Sequence, residues 1–446
     1  MSTPTVSAPA VLPSWKRRGT FLLAATGSAF GLGNIWKLPY ITGLYGGGAF
    51  VLVFLGCILF VGIPIMMAET LLGRLGRANP ITTMATLGKQ AGRRGRWIWL
   101  GAMGVIGGLL IMMFYSVVAG WVLAFVVKTA GGELRRLDPV AIAGRFDQLK
   151  VDLPTQVLFH SLFVVLTGGI VAGGVTRGIG RAVEILMPVL FIFILLLLGY
   201  SMASADFAAG LRFMFTPNFS KLSGEAVLVA MGHAFFSLSL GMGAIMAYGA
   251  YMPSEASIGK TITAVALLDT LFGLMMGLCI FPLMFSNNLN PASGPSLLFK
   301  SLPIAFSAMP FGQLMGTVFF TLVVLAALTS SISLIEPGVA WLSEKKPLNR
   351  KTATLILSVV AWCGGMASIF WDSVFNFLDA LTSRYLLPLG GLAIAIFAGW
   401  VMDKYWVERA IALEKSGLFT LWRSTLRYVS PVCITLIFLH SLGLFQ

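Results

Sequence analysis

The apolar run from about residue 21 to residue 44 is long enough to cross a bilayer, yet its middle is poorly suited to a regular helix. Residues 27–39 contain three glycines, an asparagine, a lysine and a proline. Glycine costs roughly 1 kcal/mol and proline about 3 kcal/mol in a helix interior, and irregular backbone at membrane depth is tolerated only where it is buried in protein or lines a cavity. The pattern predicts a discontinuous helix whose freed carbonyl and N–H groups hold an ion and an anionic substrate. A kinked core helix is the alternative that this stretch alone leaves open.

A second interruption of the same kind lies in the other half of the chain. Within the apolar run of about 226–251, residues 237–243 read Ser-Leu-Ser-Leu-Gly-Met-Gly, so small polar residues are again followed by Gly-x-Gly. Paired interruptions at corresponding places in two halves of a membrane protein are a sequence indication of a transporter binding site. The second stretch therefore favours the discontinuous-helix interpretation of the first.

The composition places the chain in the membrane. Of its 446 residues, 57% are hydrophobic and 11% are charged, with a mean hydropathy of +0.88, whereas soluble domains average about 25% charged residues. The net charge of +14 does not predict a nucleic-acid partner, because the basic residues lie in short loops between apolar runs. The four cysteines lie in apolar runs without CxxC spacing, so no disulfide or metal site is predicted from them.

We predict an all-α polytopic membrane protein with about eleven transmembrane helices. About 20 apolar residues make one span, and the runs that qualify lie near 20–44, 48–73, 97–128, 154–174, 182–203, 225–251, 261–285, 312–342, 353–371, 376–402 and 427–445. Most Lys and Arg residues collect on one side if the N-terminus is cytoplasmic, which predicts an external C-terminus after an odd number of spans.

The predicted organisation is an inverted repeat of five plus five helices, with the first and sixth helices broken. Residues 1–14 are predicted as a disordered cytoplasmic tail and 15–203 as the first repeat. Residues 204–402 form the second repeat, and 403–446 a cytoplasmic loop with a peripheral eleventh helix.

Ionisable residues at membrane depth are candidates for function. Asp269 lies in the middle of an apolar run, and an unpaired carboxylate there requires a cation or a proton. The Asn34 amide, the Ser237 hydroxyl and freed carbonyls would supply further oxygen ligands to a hard cation. The alternative is that Asp269 forms a structural pair with Lys37 or an arginine. The remaining candidates are Glu69, Glu184, Glu336 and His233, of which the histidine is interpreted as a packed neutral imidazole.

Hydroxyl groups give weaker signals. The consecutive Thr329, Ser330 and Ser331 lie in an apolar helix, where such residues commonly bond to their own backbone. Tyr115 is a single phenol in another apolar run, and an ordinary packed tyrosine is the alternative to a binding role. Glu69 is placed to accept hydrogen bonds from N–H groups that a broken neighbouring helix frees.

With these residues in view, the chain resembles the neurotransmitter:sodium symporter family over about residues 15–445. It is most similar to the bacterial amino-acid transporters of the eleven-helix, multi-hydrophobic type. The resemblance is carried by the segments 27–39 (GSAFGLGNIWKLP), 45–50 (YGGGAF), 62–64 (GIP) followed by Glu69, 235–241 (FFSLSLG) and 328–331 (LTSS).

This resemblance implies a leucine-transporter fold with two Na⁺ sites. The first Na⁺ would be held by Asn34, Ser237, Asp269, the Ala29 carbonyl and the substrate carboxylate. The second would be held by the carbonyls of Gly27, Phe30 and Ala326 and the hydroxyls of Thr329 and Ser330.

The resemblance also implies a site for an amino acid between the broken helices. The substrate carboxylate would meet the first Na⁺, the amides of Leu32 and Gly33 and the Tyr115 hydroxyl. Its ammonium group would meet carbonyls of Ala29, Phe30, Ser237 and the region of Ser239. The side chain would lie among Ile111, Phe236, Met242, Ser333 and Leu334, with Ser330 also among the substrate-binding residues.

The gates are less regular. Lys37 stands where the family usually has an outer-gate Arg, and it cannot form a bidentate fork. Asp379 is its nearest acidic partner. At the inner gate Trp15, Tyr251 and Glu344 match the family pattern, but Leu12 replaces the family Arg, so Lys16, Arg17 or Arg18 would have to pair with Glu344. Gly178 and Pro188 resemble a family element that unwinds to admit water to the second Na⁺ site.

The sequence therefore predicts a Na⁺-coupled, chloride-independent symporter of hydrophobic L-amino acids, aromatic and branched aliphatic, that works by alternating access. Chloride independence follows because Asp269 supplies a fixed carboxylate where animal relatives have Asn and bind chloride. We expect a monomer or weak dimer in the lipid bilayer of a bacterial inner membrane, and no enzymatic activity. Alternatives are an amino-acid sensor and a transporter coupled to protons through His233, Glu69 or Glu336.

Overall fold

The computed structural model describes residues 14–15, 17–93, 96–135, 137–294, 296–345, 348–411, 413 and 416–442. The predicted N-terminal tail, apart from Ser14, and the gate candidate Lys16 lie outside these ranges. Most of the described residues are helical, and none lies in a β-strand. The prediction of an all-α chain is confirmed.

Eight of the described helices are long and apolar enough to cross a membrane. They are α2 (Gly48–Gly76), α3 (Ile98–Ala130), α4 (Leu153–Ala172), α5 (Val175–Ser204), α7 (Ile258–Ser286), α8 (Gly312–Lys345), α9 (Arg350–Phe370) and α10 (Asp372–Val401). Their bounds fall within a few residues of the predicted runs, except that α5 starts earlier because the π-helical turn Val175–Gly180 precedes it. A further helical segment, α11, covers 416–441. The total of eleven spans stays a prediction.

Both predicted interruptions are present. The first apolar run forms α1a (Arg18–Ala29) and α1b (33–44), and the sixth forms α6a (Gly224–Ser237) and α6b (Ala244–Tyr251). In the second break the backbone turns through left-handed residues, with φ of 54° at Ser239 and 78° at Gly241. Glycine adopts that conformation without steric cost, which explains why the Gly-x-Gly sequence ends the helix there.

Short helices connect the spans. They are Pro80–Gln90, Pro139–Val151, Phe207–Phe215 and Lys404–Ile411, with a further helical segment over 297–308. The first three begin with an Asn or Asp whose side chain accepts a hydrogen bond from a backbone N–H in the first turn. Such caps satisfy N–H groups that a helix start leaves unpaired.

The broken helices lie at the centre of the bundle. Helix α1a packs against α7 and α8, α6b packs against α2, and α8 runs along α3. Gly73 of α2 and Gly249 of α6b allow the backbones of these two helices to touch. A Cβ on Gly73 would lie only 1.9 Å from the Met246 carbonyl oxygen. Membrane helices associate through such small residues, and here the contact fixes the half-helix that follows the second break.

Candidate functional site

A small cavity of about 30 Å³ lies between the two breaks. A cavity of this size holds water but not an amino-acid side chain. Its walls must therefore separate before a substrate enters. The sequence-predicted residues that line it are Ala29, Leu32, Gly33, Ile111, Tyr115, Phe236, Ser237, Ser239, Met242, Ser330 and Leu334, and Ser28 and Gly31 line it in addition.

Two predicted substrate residues lie beside this cavity and do not line it. The Phe30 ring packs edge-on against Phe272, with ring centroids 5.2 Å apart. The Ser333 hydroxyl donates to the Ser330 carbonyl oxygen over 2.7 Å, and it accepts a hydrogen bond from the Ser28 hydroxyl, also over 2.7 Å. Ser333 therefore links α8 to α1a immediately behind the pocket wall.

The Asp269 carboxylate brings α1, α6 and α7 together. Its Oδ1 accepts from Asn34 Nδ2 over 2.5 Å, and its Oδ2 accepts from Ser237 Oγ over 2.5 Å. All three side chains are buried, and Asn34 Oδ1 has no hydrogen-bond partner among the described residues. Lys37, the alternative partner, instead holds its amine 5.6 Å from the Phe236 ring centroid. A buried set of oxygen ligands with one unpaired amide oxygen suits a hard cation.

A second group of oxygens lies where α8 meets α1a. Ser330 Oγ donates to the carbonyls of Gly27 and Ser28, over 3.3 and 3.2 Å, and Thr329 Oγ1 donates to the Ala326 carbonyl over 3.0 Å. Gly27 allows this approach, because a Cβ there would come within 3.0 Å of the Thr329 Cβ. The structure thus places four of the five residues predicted for the second Na⁺ in one contact region.

The break in α6 is held by one of its own side chains and by one side chain from α2. Ser239 Oγ donates to the Ser28 carbonyl over 2.8 Å, which ties the two breaks to each other. The fully buried Glu69 accepts from the Gly241 N–H over 3.2 Å. The prediction that Glu69 accepts a hydrogen bond from a freed N–H group is confirmed.

The backbone amide of α1 at the break also has an acceptor. Leu32 N donates to the Tyr115 hydroxyl over 3.4 Å, so the phenol reaches the unwound segment from α3. The amides of a helix start carry partial positive charge. This end of the pocket is therefore suited to an anionic group.

A cavity of about 560 Å³, here called the vestibule, lies on one side of the pocket. Phe236, Leu32, Gly33 and Tyr115 line both cavities, so they form the boundary between them. Lys37 also lines the vestibule, and it carries positive charge onto the face of the Phe236 ring. Its walls contain several carboxylates, Asp147, Asp372 and the predicted gate residue Asp379.

The other side of the pocket is closed by what we call the Trp15 cluster: Trp15, Tyr248, Tyr251, Glu336 and Arg350. Trp15 is buried, its backbone N–H donates to the Tyr251 carbonyl over 3.0 Å, and its indole ring packs on Tyr248 and Tyr251. The Tyr251 hydroxyl donates to Glu336 over 2.8 Å, and the Arg350 guanidinium pairs with both carboxylate oxygens of Glu336. An aromatic plug and a bidentate ion pair thus seal this side.

The partnership of Glu336 with Arg350 was not predicted, because nothing in the spacing across the end of α8 indicates it. The predicted inner-gate acid Glu344 accepts hydrogen bonds from the Asn79 N–H over 3.0 Å and from Asn79 Nδ2 over 2.5 Å. Arg18, one of its expected partners, donates to Thr261 Oγ1 over 2.9 Å.

Two broken apolar helices, buried oxygens that suit a cation, and a pocket that borders a vestibule on one side and an aromatic plug on the other together define an ion-coupled membrane transporter. Comparisons with known proteins identify which kind. A profile of the Sodium:neurotransmitter symporter family matches residues 13–136 and 148–446. This chain belongs to that family; it is a sodium-dependent, multi-pass membrane symporter and not an enzyme.

Individual relatives match over almost their whole length. YhdH of Bacillus subtilis (strain 168), an uncharacterized sodium-dependent transporter, is 34% identical over 96% of this chain and 98% of its own. An uncharacterized sodium-dependent transporter of Haemophilus influenzae is 32% identical over the same shares of the two chains. The crystal structure of MhsT in complex with L-phenylalanine aligns with a TM-score of 0.88 at 36% identity, covering 96% of this chain and 99% of that one. The predicted leucine-transporter fold is confirmed by this likeness.

Proposed function

We propose that this protein couples the uptake of hydrophobic L-amino acids to two Na⁺ ions, independently of chloride. The observation that carries the proposal is the Asp269 carboxylate, buried against Asn34 and Ser237 at the edge of the pocket. A substrate carboxylate entering beside it would complete the first Na⁺ shell, and the second ion would bind among the oxygens of Gly27, Ala326, Phe30, Thr329 and Ser330.

The pocket walls support a large apolar substrate side chain. Ile111, Phe236, Met242 and Leu334 line the pocket. Methionine is flexible and adapts to varied shapes, which suits both aromatic and branched aliphatic substrates. The likeness to a transporter crystallised with L-phenylalanine agrees with this choice.

Chloride independence follows from charge. Two Na⁺ ions and a zwitterionic substrate bring net positive charge into a low-dielectric site, where it must be balanced. The Asp269 carboxylate is a fixed negative charge in contact with the proposed first shell, so no bound anion is needed.

Transport proceeds by alternating access in this proposal. The vestibule admits substrate and Na⁺ while the Trp15 cluster closes the other side, and closure of Phe236 and Lys37 over the pocket would precede opening of the cluster. We propose a cytoplasmic N-terminus, an external C-terminus and a bacterial inner membrane, with residues 15–203 and 204–402 as inverted repeats. We further propose that the protein acts as a monomer or weak dimer.

The first experiment is binding of Trp, Leu and Ala to the purified protein, titrated against Na⁺ with chloride replaced by gluconate. We expect binding only with Na⁺, unchanged in gluconate, and tighter for Trp and Leu than for Ala. Coupling between two ligands is reciprocal. Saturating Trp should therefore raise the Na⁺ affinity by the same factor by which saturating Na⁺ raises the Trp affinity. Binding that ignores Na⁺ and changes with pH would overturn both Na⁺ sites and favour proton coupling.

A further inference from the structure

A groove of about 410 Å³ lies between α4 and α9 and shares no lining residue with the pocket or the vestibule. Its floor is formed by Gly168 and Gly169, and a Cβ built on Gly169 meets no atom within 4 Å. Its walls are mostly aliphatic, and Val165, Leu355 and Val359 beside it are exposed. In a membrane protein such a recess faces acyl chains, because the exposed residues around it contact the bilayer.

A polar group lies inside this apolar groove. Ser358 is only 9% exposed, lines the groove, and its hydroxyl has no hydrogen-bond partner among the described residues. Serine and threonine in membrane helices commonly donate to the carbonyl four residues earlier, as Thr354 does to Arg350 one turn away. The Ser358 hydroxyl is therefore an unpaired polar group in the groove wall, enclosed beside Gly168, where a Cβ would lie 2.7 Å from its oxygen.

A positive charge marks one end of the groove. Lys351 lines it, is exposed, and has no carboxylate within ion-pair distance in the part of the chain that the structure describes. Its neighbour Arg350 is already engaged by Glu336 and by the Val171 carbonyl. In the proposed orientation this end faces the cytoplasm, where anionic lipids concentrate and where basic pockets between helices bind acidic headgroups.

We propose that the groove binds one anionic phospholipid of the inner leaflet. The lipid phosphate lies at Lys351, and an acyl chain lies along Gly168 and Gly169. This inference rests on the orientation given under the proposed function. It adds a lipid site to the transporter that the substrate and Na⁺ sites do not require.

The position of the groove connects it to both functional regions. Beside its floor, Thr167 of α4 and Ser331 of α8 share a hydrogen bond of 2.8 Å, next to the hydroxyls proposed for the second Na⁺. At its charged end, Lys351 adjoins Arg350 of the Trp15 cluster. A lipid in the groove would hold α4 and α9 together beside the proposed second Na⁺ site and the Trp15 cluster.

The test is native mass spectrometry of the full-length protein, released from micelles that contain equal phosphatidylglycerol and phosphatidylcholine with matched chains. We expect one tightly retained lipid with a preference for phosphatidylglycerol. Lys351→Gln should lower that preference about fivefold, since one basic residue contributes about that factor. Gly169→Leu fills the open floor and should remove the retained lipid of either kind. Lys404→Gln, an exposed cation outside the groove, is the matched control and should change nothing.

Three outcomes would overturn the proposal. The first is an unchanged phosphatidylglycerol preference in Lys351→Gln. The second is a dimer that Gly169→Leu dissociates, which would assign the groove to a second copy. The third is reaction of Lys351→Cys with an impermeant maleimide in intact cells, which would exclude the inner leaflet. Na⁺-dependent Trp binding, measured for every variant, reports the proposed transport function separately, so failure of one proposal is distinguishable from failure of the other.

Discussion

At the residue scale, Asp269 is the carboxylate on which the proposed Na⁺ coupling depends. Asp269→Asn keeps the shape of the side chain and removes its charge. We expect Na⁺-dependent Trp binding to weaken at least about a hundredfold, because loss of one buried charged partner costs about 3–5 kcal/mol. The measurement is Trp binding at saturating Na⁺. Asp372→Asn removes an equal charge from an exposed position on the vestibule wall and should bind as the wild type does; equal affinity in Asp269→Asn would remove Asp269 from the site.

Met242 sets the size of the proposed side-chain pocket. Met242→Phe places a rigid ring beside a cavity of about 30 Å³. We expect the ratio of Trp affinity to Ala affinity to fall by about tenfold, because a pocket discriminates by about this factor between side chains that differ slightly in size. Competition of Trp and Ala against labelled Leu measures the shift. Met202→Phe, on the exposed surface of α5, is the control. The same competition ratio in both variants would place the substrate side chain elsewhere.

Single polar residues in apolar runs were the most informative part of the sequence. Asp269, Asn34 and Ser237 could be brought together by inference because few structural explanations exist for a carboxylate at that depth, and the structure joins them directly. The pair of Glu336 and Arg350 could not be predicted in this way. It depends on how α9 folds back beside α8, which is tertiary information that no local spacing contains.

At the scale of the helices, the break in α6 depends on Gly241. Its φ is 78°, and a Cβ there would lie 2.5 Å from the Leu387 carbonyl oxygen. Gly241→Ala should therefore lower the melting temperature and abolish Na⁺-dependent Trp binding, since the left-handed conformation alone costs alanine about 1–2 kcal/mol before the clash is relieved.

Gly232→Ala is the matched control in the same broken helix. Gly232 lies inside α6a, and a Cβ there meets nothing within 4 Å. Alanine favours a helix over glycine by about 1 kcal/mol, so this variant should be as stable as the wild type or more so. Thermal unfolding in detergent compares the two, and equal melting temperatures would show that the break tolerates a side chain.

The spans and their interruptions were predictable because length, apolarity and glycine content act locally. The three short helices that follow Asn79, Asp138 and Asp206 were not predicted, although these caps and the prolines after the first two are local signals of a helix start. Hydropathy hides these amphipathic segments between stronger apolar runs. Reading caps alongside hydropathy would have found them.

At the scale of the whole molecule, the structure is asymmetric between its two faces. The vestibule reaches the boundary of the pocket, whereas buried aromatic rings and an ion pair block the other side. During its cycle a transporter must open the closed side and close the open one. The contacts that seal the closed side therefore set the equilibrium between the two conformations. The Trp15 cluster is therefore the place where a single substitution should alter that balance.

Arg350→Gln removes the bidentate partner of Glu336 and leaves Tyr251 as its remaining partner in the cluster. Breaking a buried ion pair leaves an uncompensated charge, which favours the conformation in which water reaches Glu336. We expect faster hydrogen–deuterium exchange in α1a, at least about tenfold, because Trp15 leads into that helix and its opening depends on the seal. Na⁺ should slow this exchange again if Gly27 and Ser330 hold an ion between α1a and α8. Arg177→Gln removes an exposed cation from a neighbouring turn and should leave α1a unchanged; equal exchange in the two variants would mean that the ion pair does not hold this side closed.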